Sequence, residues 1–236
     1  ISFQGSDEEL KATINSQPAI LTTSIAALSA FQEKSDLKAD YVLGHSLGEI
    51  SAYYAAGILN LEDVFNLIQK RAEFMQEATL KTQGKMAAII GADIKLINEC
   101  IEKAQGLVSI ANYNSIPQIV ITGEVDAVDN VCELLKESGV RKVVPLAVSG
   151  AFHSKLMIDA SQNLEKFIQN LPFSDAKIPV ITNVDASETV KSDDIKQKVV
   201  KQIYSSVMWT QSIQNLVEKG VDTFIEFGEG HVLTGL

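Results

Sequence analysis

Tyr41-Val42-Leu43-Gly44-His45-Ser46-Leu47-Gly48-Glu49 is the stretch that decides the fold. It sets a serine between two glycines at the end of an apolar run, the pattern Gly-x-Ser-x-Gly. Such a segment reads as a sharp strand-to-helix turn that holds the serine hydroxyl clear of the backbone, with glycines where a side chain would collide. Tyr41 to Leu43 supplies the strand, and Leu47 to Ala56, rich in helix formers, supplies the helix. The pattern marks Ser46 as a candidate nucleophile; the competing reading is a glycine-flanked turn without chemistry.

Composition bounds what such a serine could serve. At 236 residues, 46% hydrophobic and 21% charged, the chain has the balance of a globular domain large enough to bury a substantial core. No apolar stretch approaches the ~20 residues that span a bilayer, and no basic-then-apolar leader opens the sequence, so a cytoplasmic protein without a membrane partner is expected. The net charge of −10 disfavours nucleic acid. Cys100 and Cys132 lack ligand spacing and read as buried helical thiols, so no metal and no disulfide is expected. Only two of the 20 basic residues are arginines, Arg71 and Arg141. Each invites a specific explanation, because a guanidinium forms a rigid fork that fits a carboxylate and an ammonium does not.

Outward from the turn, Ser6 and Glu9 form a capping box, and Pro18 opens a longer apolar helix through Phe31. Asn60 caps a helix to about Ala78, with Val64, Leu67, Ile68, Arg71 and Met75 at helical spacing. Arg71 thus shares an apolar stripe, where it either snorkels, pairs with a core acid, or binds something. Strands are expected at 85–90, 107–112, 118–122 and 142–148, and helices at 94–104 and 125–138, the βαββαβ order of a ferredoxin-like unit. Beyond it the pattern predicts helices at 154–170, 195–204 and 211–219 and strands at 179–182 and 223–227. The expected architecture is α/β, a mainly parallel-sheet core of the α/β-hydrolase type, residues 1–82 and 149–236, with a ferredoxin-like subdomain, 83–148, inserted in it.

A serine needs a base, and there are three histidines. His45 adjoins Ser46 in a turn that points neighbouring side chains apart, and His231 lies in a glycine-rich segment near the end. His153 follows an apolar strand and the tight sequence Ser149-Gly150-Ala151-Phe152, where the chain returns to the main sheet, and elimination favours it.

Four separated segments carry a resemblance: Gly44 to Glu49, Lys70-Arg71-Ala72-Glu73-Phe74-Met75-Gln76, Gly150-Ala151-Phe152-His153-Ser154, and Gly230-His231-Val232-Leu233-Thr234-Gly235. Together they resemble the malonyl-CoA:acyl carrier protein transacylases of bacterial fatty-acid synthesis over essentially the whole chain. The resemblance implies Ser46 as nucleophile, His153 as general base, and Gln202 as the residue whose main-chain carbonyl orients the imidazole in place of a triad carboxylate. It implies that Arg71 holds the free carboxylate of the malonyl group. It implies that Phe152 and Leu47 shape the acyl site, with the Leu47 N–H as one oxyanion donor. Asn112 and Asn114 would face the acyl or pantetheine channel, although asparagines closing a strand-end turn fit the sequence nearly as well. Arg141 and Lys142 would form a basic spot for docking the acidic carrier protein, against the reading of a solvated charge pair.

The implied partners are malonyl-CoA and acyl carrier protein, with no cofactor and a monomeric enzyme. The chain departs from the family at its start: Phe3-Gln4-Gly5-Ser6 resembles the segment that supplies the family's second oxyanion donor but lies too close to Ser46, so Gln4 is not given that role. The chain is therefore expected to begin and end inside its domain, and trimming there to cost severe activity. A serine thioesterase or esterase, a polyketide synthase acyltransferase domain, and a non-catalytic carrier-protein binding module remain the alternatives.

Overall fold

The computed structural model describes residues 2, 4–148 and 150–236; Ile1, Phe3 and Ser149 lie outside the described residues, and with them parts of the Phe3–Ser6 and Ser149–Phe152 segments. In chain order the first elements are α1 (Asp7–Lys11), α2 (Thr13–Gln32), β1 (Val42–Leu43), α3 (Gly48–Ala55) and α4 (Leu61–Lys81). The capping box forms, with the Glu9 N–H donating to the Ser6 hydroxyl and Glu9 accepting from the Ser6 N–H. Asn60 caps α4 through the Asp63 N–H at 2.9 Å. Pro18 does not open α2 but lies inside it. The helix begins a turn and a half earlier at Thr13, because a proline this near the N-terminus removes few ladder bonds.

Next come β2 (Gly84–Ile90), α5 (Ile94–Lys103), β3 (Val108–Ser115), β4 (Gln118–Glu124), α6 (Val125–Glu137) and β5 (Lys142–Pro145). They form a four-stranded antiparallel sheet in the order β3-β4-β2-β5. Its core is Ile89, Ile97, Cys100, Ile121, Val128, Val131, Cys132 and Leu135, so both cysteines are buried and free. The last strand stops at Pro145 rather than reaching 148: its ladder with β2 runs from Lys142 to Pro145, and beyond it Leu146 adds a single N–H bond to the Met86 carbonyl at 2.9 Å.

A short 3₁₀ turn (Lys155–Met157) leads into α7 (Ile158–Ile168), followed by β6 (Val180–Ile181), β7 (Glu188–Thr189), α8 (Ser192–Gln202) and α9 (Trp209–Glu218). β1 pairs in parallel with β6, Val42 opposite Val180, and β6 pairs with β7 antiparallel. The mainly parallel core sheet is thus present, among the described residues, as one two-residue parallel pair. The strand expected at 223–227 does not form: the segment joins no ladder among the described residues, and Phe224 and Ile225 are about half exposed. Apolar alternation can mark an extended run, but a strand also needs a neighbouring edge to pair with.

The larger core gathers Leu21 and Ile25 of α2, Ile50 and Tyr53 of α3, Val64, Leu67, Ile68 and Met75 of α4, Leu164 of α7, and Ile195 and Val199 of α8. Its function is to fix the turn between β1 and α3. A Cβ added at Gly44 would lie 2.0 Å from the backbone of Gly48, so the chain crosses itself there without room for a methyl. Gly48, contrary to the sequence reading, has nothing within 4 Å of such a Cβ. Gly44→Ala is therefore expected to destabilise the protein by about 1–3 kcal/mol or more through overpacking. Gly48→Ala is expected to be neutral or to stabilise by up to about 1 kcal/mol. Thermal unfolding of the two variants tests the contrast, and equal effects would refute it.

Candidate active site

Ser46 sits at φ 51°, in the left-handed region that a non-glycine residue rarely adopts. The strain turns its hydroxyl out of the β1–α3 elbow and toward His153, whose Nε2 lies 2.8 Å from Ser46 Oγ. His153 is itself at φ 58° and is buried. Its loop is anchored to the end of α8 by a bond from its N–H to the Ile203 carbonyl at 3.1 Å. Its Nδ1 faces two main-chain carbonyls, Gln202 at 2.9 Å and Ser205 at 3.1 Å.

Two acceptors around Nδ1 require the proton there, which leaves Nε2 as the acceptor that faces the serine hydroxyl. The carbonyl ring also solves an electrostatic problem. Burial, and then the positive charge of Arg71, hold the imidazole pKa down to about 3, so the ring is neutral and free to take a proton. Once it does, the free carbonyls at the C-terminal end of α8 stabilise the imidazolium, as a carboxylate does in a serine–histidine–aspartate triad.

Arg71 reaches the same point from α4. It is 1% exposed, on the buried stripe of that helix. Nη1 donates to Gln17 Oε1 at 2.5 Å, and Nη2 donates to Gln202 Oε1 at 2.9 Å and to Ser46 Oγ at 3.1 Å. All three partners are neutral, and Nε has none among the described residues. No carboxylate of the described residues lies within ion-pair distance of the guanidinium. Burial pulls its pKa down to about 10, so it remains a cation at neutral pH. A buried cation whose direct partners are neutral amides and a hydroxyl, with the Glu49 charge acting only from beyond ion-pair distance, is costly unless an anion arrives to pair with it. Such an arrangement can receive an anion beside the Ser46 hydroxyl.

The elbow also allocates its backbone donors. The Ser46 N–H is taken by Asn183 Oδ1 at 2.7 Å, and the Gly48 and Glu49 N–H groups by the His45 and Ser46 carbonyls. The Leu47 N–H has no acceptor among the described residues. It stands at the N-terminus of α3, where the helix dipole favours negative charge.

The remaining expected residues fall as follows. Phe152 packs against the larger core and against a small cluster of Met86, Ala88, Ala111 and Val120 on the antiparallel sheet, its ring lying over Gly150, where a Cβ would be only 2.5 Å away. Asn112 is buried and bridges to Val207, which ties β3 to the segment after α8. The amide of Asn114 is engaged on both sides, Oδ1 by His45 Nε2 and Nδ2 by Gln118 Oε1, each at 2.8 Å. His45, its ring 5.5 Å from Trp209, therefore braces the elbow against the β3–β4 hairpin. Arg141 and Lys142 are exposed at the start of the edge strand β5, away from this cluster of bonds. Sequence reasoning missed Gln17, Asn183, Ser205 and the buried Glu49. Glu49 was visible only as the last letter of the serine motif, and the other three carried no signal.

A family profile described as the acyl transferase domain matches residues 3–234. The chain belongs to the acyl transferase family. The malonyl CoA-acyl carrier protein transacylase of Bacillus subtilis is 46% identical over 99% of the chain and 74% of its own length. The malonyl-CoA:acyl carrier protein transacylase structure from Xanthomonas oryzae matches with TM-score 0.95 and 40% identity over 98% of the chain and 75% of its own. A type II polyketide synthase acyl carrier protein in complex with its malonyl transacylase matches with TM-score 0.96 and 36% identity over 99% of the chain and 76% of the other. Within the acyl transferase fold, then, the elbow, the imidazole and the guanidinium converge on one point.

Proposed function

We propose that this acyl transferase moves a malonyl group from malonyl-CoA to the phosphopantetheine thiol of acyl carrier protein through a malonyl-serine intermediate. The observation that carries this reading is the buried, carboxylate-free guanidinium of Arg71, 3.1 Å from Ser46 Oγ. Ser46 Oγ attacks the thioester carbonyl while His153 Nε2 accepts its proton. The Leu47 N–H donates to the developing oxyanion. The carbon–sulfur bond breaks, and the proton on His153 passes to the departing thiolate. The carrier thiol then reverses the sequence, giving up its proton to His153 as it attacks the malonyl ester. Arg71 holds the free carboxylate throughout, and Gln202 contributes its carbonyl to His153 and its amide oxygen to Arg71.

The remaining assignments belong to the same reading. Phe152 and Leu47 limit bulk at the acyl group, Asn112 and Asn114 border the channel, with Asn114 acting through His45, and Arg141 and Lys142 meet the acidic carrier. Residues 1–82 and 149–236 form the α/β-hydrolase-like core, and 83–148 the ferredoxin-like insertion, a reading supported by the antiparallel order β3-β4-β2-β5. The enzyme acts in the cytoplasm as a monomer, without cofactor or metal; no helix among the described residues is long and apolar enough to cross a membrane. The thioesterase alternative is disfavoured, because main-chain carbonyls rather than a carboxylate face His153 Nδ1.

The test is the intact-protein mass after exposure to malonyl-CoA or acetyl-CoA, followed by addition of holo acyl carrier protein. A malonyl adduct is expected on Ser46, absent in Ser46→Ala and discharged by the carrier. No adduct, or equal labelling by acetyl-CoA, would sink the proposal.

A further inference from the structure

Under the elbow lies a carboxyl group that the chemistry above does not use. Glu49, on the first turn of α3, is 0% exposed, and both of its oxygens are occupied. Oε1 accepts from the Tyr53 hydroxyl one turn further on, and Oε2 accepts from the main-chain N–H of Asn183 at 2.6 Å. Asn183 follows β6, which pairs with β1. Its side chain then returns to the elbow from below: Nδ2 donates to the Gly44 carbonyl at 2.8 Å, and Oδ1 accepts from the Ser46 N–H at 2.7 Å. One asparagine therefore grips the peptide units on both sides of His45, the segment that carries the chain into the left-handed conformation of Ser46. Gln202 Nε2 completes the frame, donating to the Ser46 carbonyl at 2.8 Å.

An elbow with φ 51° at serine persists only if its surroundings over-determine it. We infer that Glu49 and Asn183 are positioning residues for the nucleophile, Glu49 fixing the Asn183 backbone and Asn183 clamping the strained turn so that Ser46 Oγ meets His153 and only the Leu47 N–H stays free. The inference rests on Ser46 being the nucleophile, but not on the identity of the acyl group. Burial of this network is itself an argument for function. A carboxyl removed from water is costly; burial pushes Glu49 up to about 7 against the hydrogen bonds that oppose it. An apolar residue would fill the space more cheaply but would leave the Asn183 N–H without a partner.

The experiment measures the rate at which Ser46 is labelled by a small fluorophosphonate, which needs the serine, its base and the oxyanion donor but has no carboxylate for Arg71 to read. Displacement of a reacting atom by about 1 Å costs roughly 100-fold in rate, and a loss of that order is expected in Glu49→Ala and Asn183→Ala. In turnover with malonyl-CoA the loss falls on kcat, with KM little changed. Glu49→Gln is expected to restore labelling to within a few-fold, because its amide oxygen accepts from Asn183 and its NH₂ donates to a rotated Tyr53 hydroxyl. A folded Glu49→Ala that labels like the wild type overturns the inference, as does a Glu49→Gln protein no faster than Glu49→Ala. Should Glu49→Ala fail to fold, Asn183→Ser decides in the same assay, with wild-type labelling refuting the clamp. Slow labelling of these variants in a protein whose wild type labels fast yet takes no malonyl group would uphold the clamp and sink only the substrate assignment.

Discussion

His153→Ala is expected to slow acylation of Ser46 by about 10⁴- to 10⁶-fold, the range found when the base of a serine–histidine unit is removed. The magnitude follows from geometry: His153 Nε2 is 2.8 Å from Ser46 Oγ, and no other titratable nitrogen acceptor contacts that hydroxyl among the described residues. The variant also carries a pH signature. With the imidazole held near 3 by burial and by Arg71, the base stays unprotonated through the mildly acidic range, so fluorophosphonate labelling of the wild type should remain flat well below pH 6.5. Stability shows the same shift with a definite sign. The folded pKa lies below the ordinary value of 6.5, so the unfolded chain binds this proton first, and stability is lost as pH falls from 6.5 toward 3. The raised Glu49 works in the opposite direction, its contribution being complete below 4.5 and lost as pH rises through about 7. Comparing His153→Ala with the wild type cancels Glu49 and isolates the histidine. The variant's melting temperature should decline less between pH 6.5 and pH 4. A labelling profile with an inflection near 6.5, or parallel melting curves, would refute the assignment.

What the sequence could reveal of this site depended on how local each constraint is. The elbow was legible because its reason is local: Gly44 must lack a Cβ within four residues of Gly48. Arg71 was legible as an anomaly, a guanidinium on an apolar stripe, although its partners Gln17 and Gln202 lie 54 and 131 residues away. Their own patterns describe ordinary helical glutamines. Asn183 lies 137 residues from Ser46 and sits after a two-residue strand too short to announce itself. Glu49 misleads for a different reason. An acid in the first turn of a helix reads as a favourable partner of the dipole at the surface, yet here it is wholly buried. The strands and helices between Gly84 and Pro145 were legible because those strands are long and those helices amphipathic, whereas the core sheet consists of two-residue strands whose pairing depends on distant edges. Pattern reveals elements long enough to show a period; it does not reveal which polar side chains a fold will bring together.

Arg71→Ala should change what the enzyme selects rather than whether it reacts. Under the proposed function a malonyl group supplies the anion that the buried guanidinium lacks, while an acetyl group leaves that cation unpaired in a dry site. The difference is worth about 3 kcal/mol, or roughly 100-fold in kcat/KM. Removing the guanidinium abolishes both effects: malonyl transfer falls by about that factor, and acetyl transfer no longer carries the handicap, so the preference collapses toward unity. A second consequence distinguishes a clamp from a mere packing residue. The positive charge of Arg71 also depresses the basicity of His153, so its removal should raise the imidazole pKa and move the acidic limb of the fluorophosphonate profile to higher pH. Arg71→Lys separates the two roles. It keeps the charge, and so the low limb, but an ammonium lacks the planar fork that Gln17 and Gln202 orient, so malonyl selectivity should still drop. The same reasoning applies to the natural substrate. On the proposed function, a malonyl carboxylate that neutralises Arg71 should also relieve the repulsion on His153, so that the correct acyl group strengthens the base that takes the Ser46 proton. An Arg71→Ala protein that remained selective for malonyl-CoA, or whose pH limb did not move, would show that the guanidinium serves neither purpose.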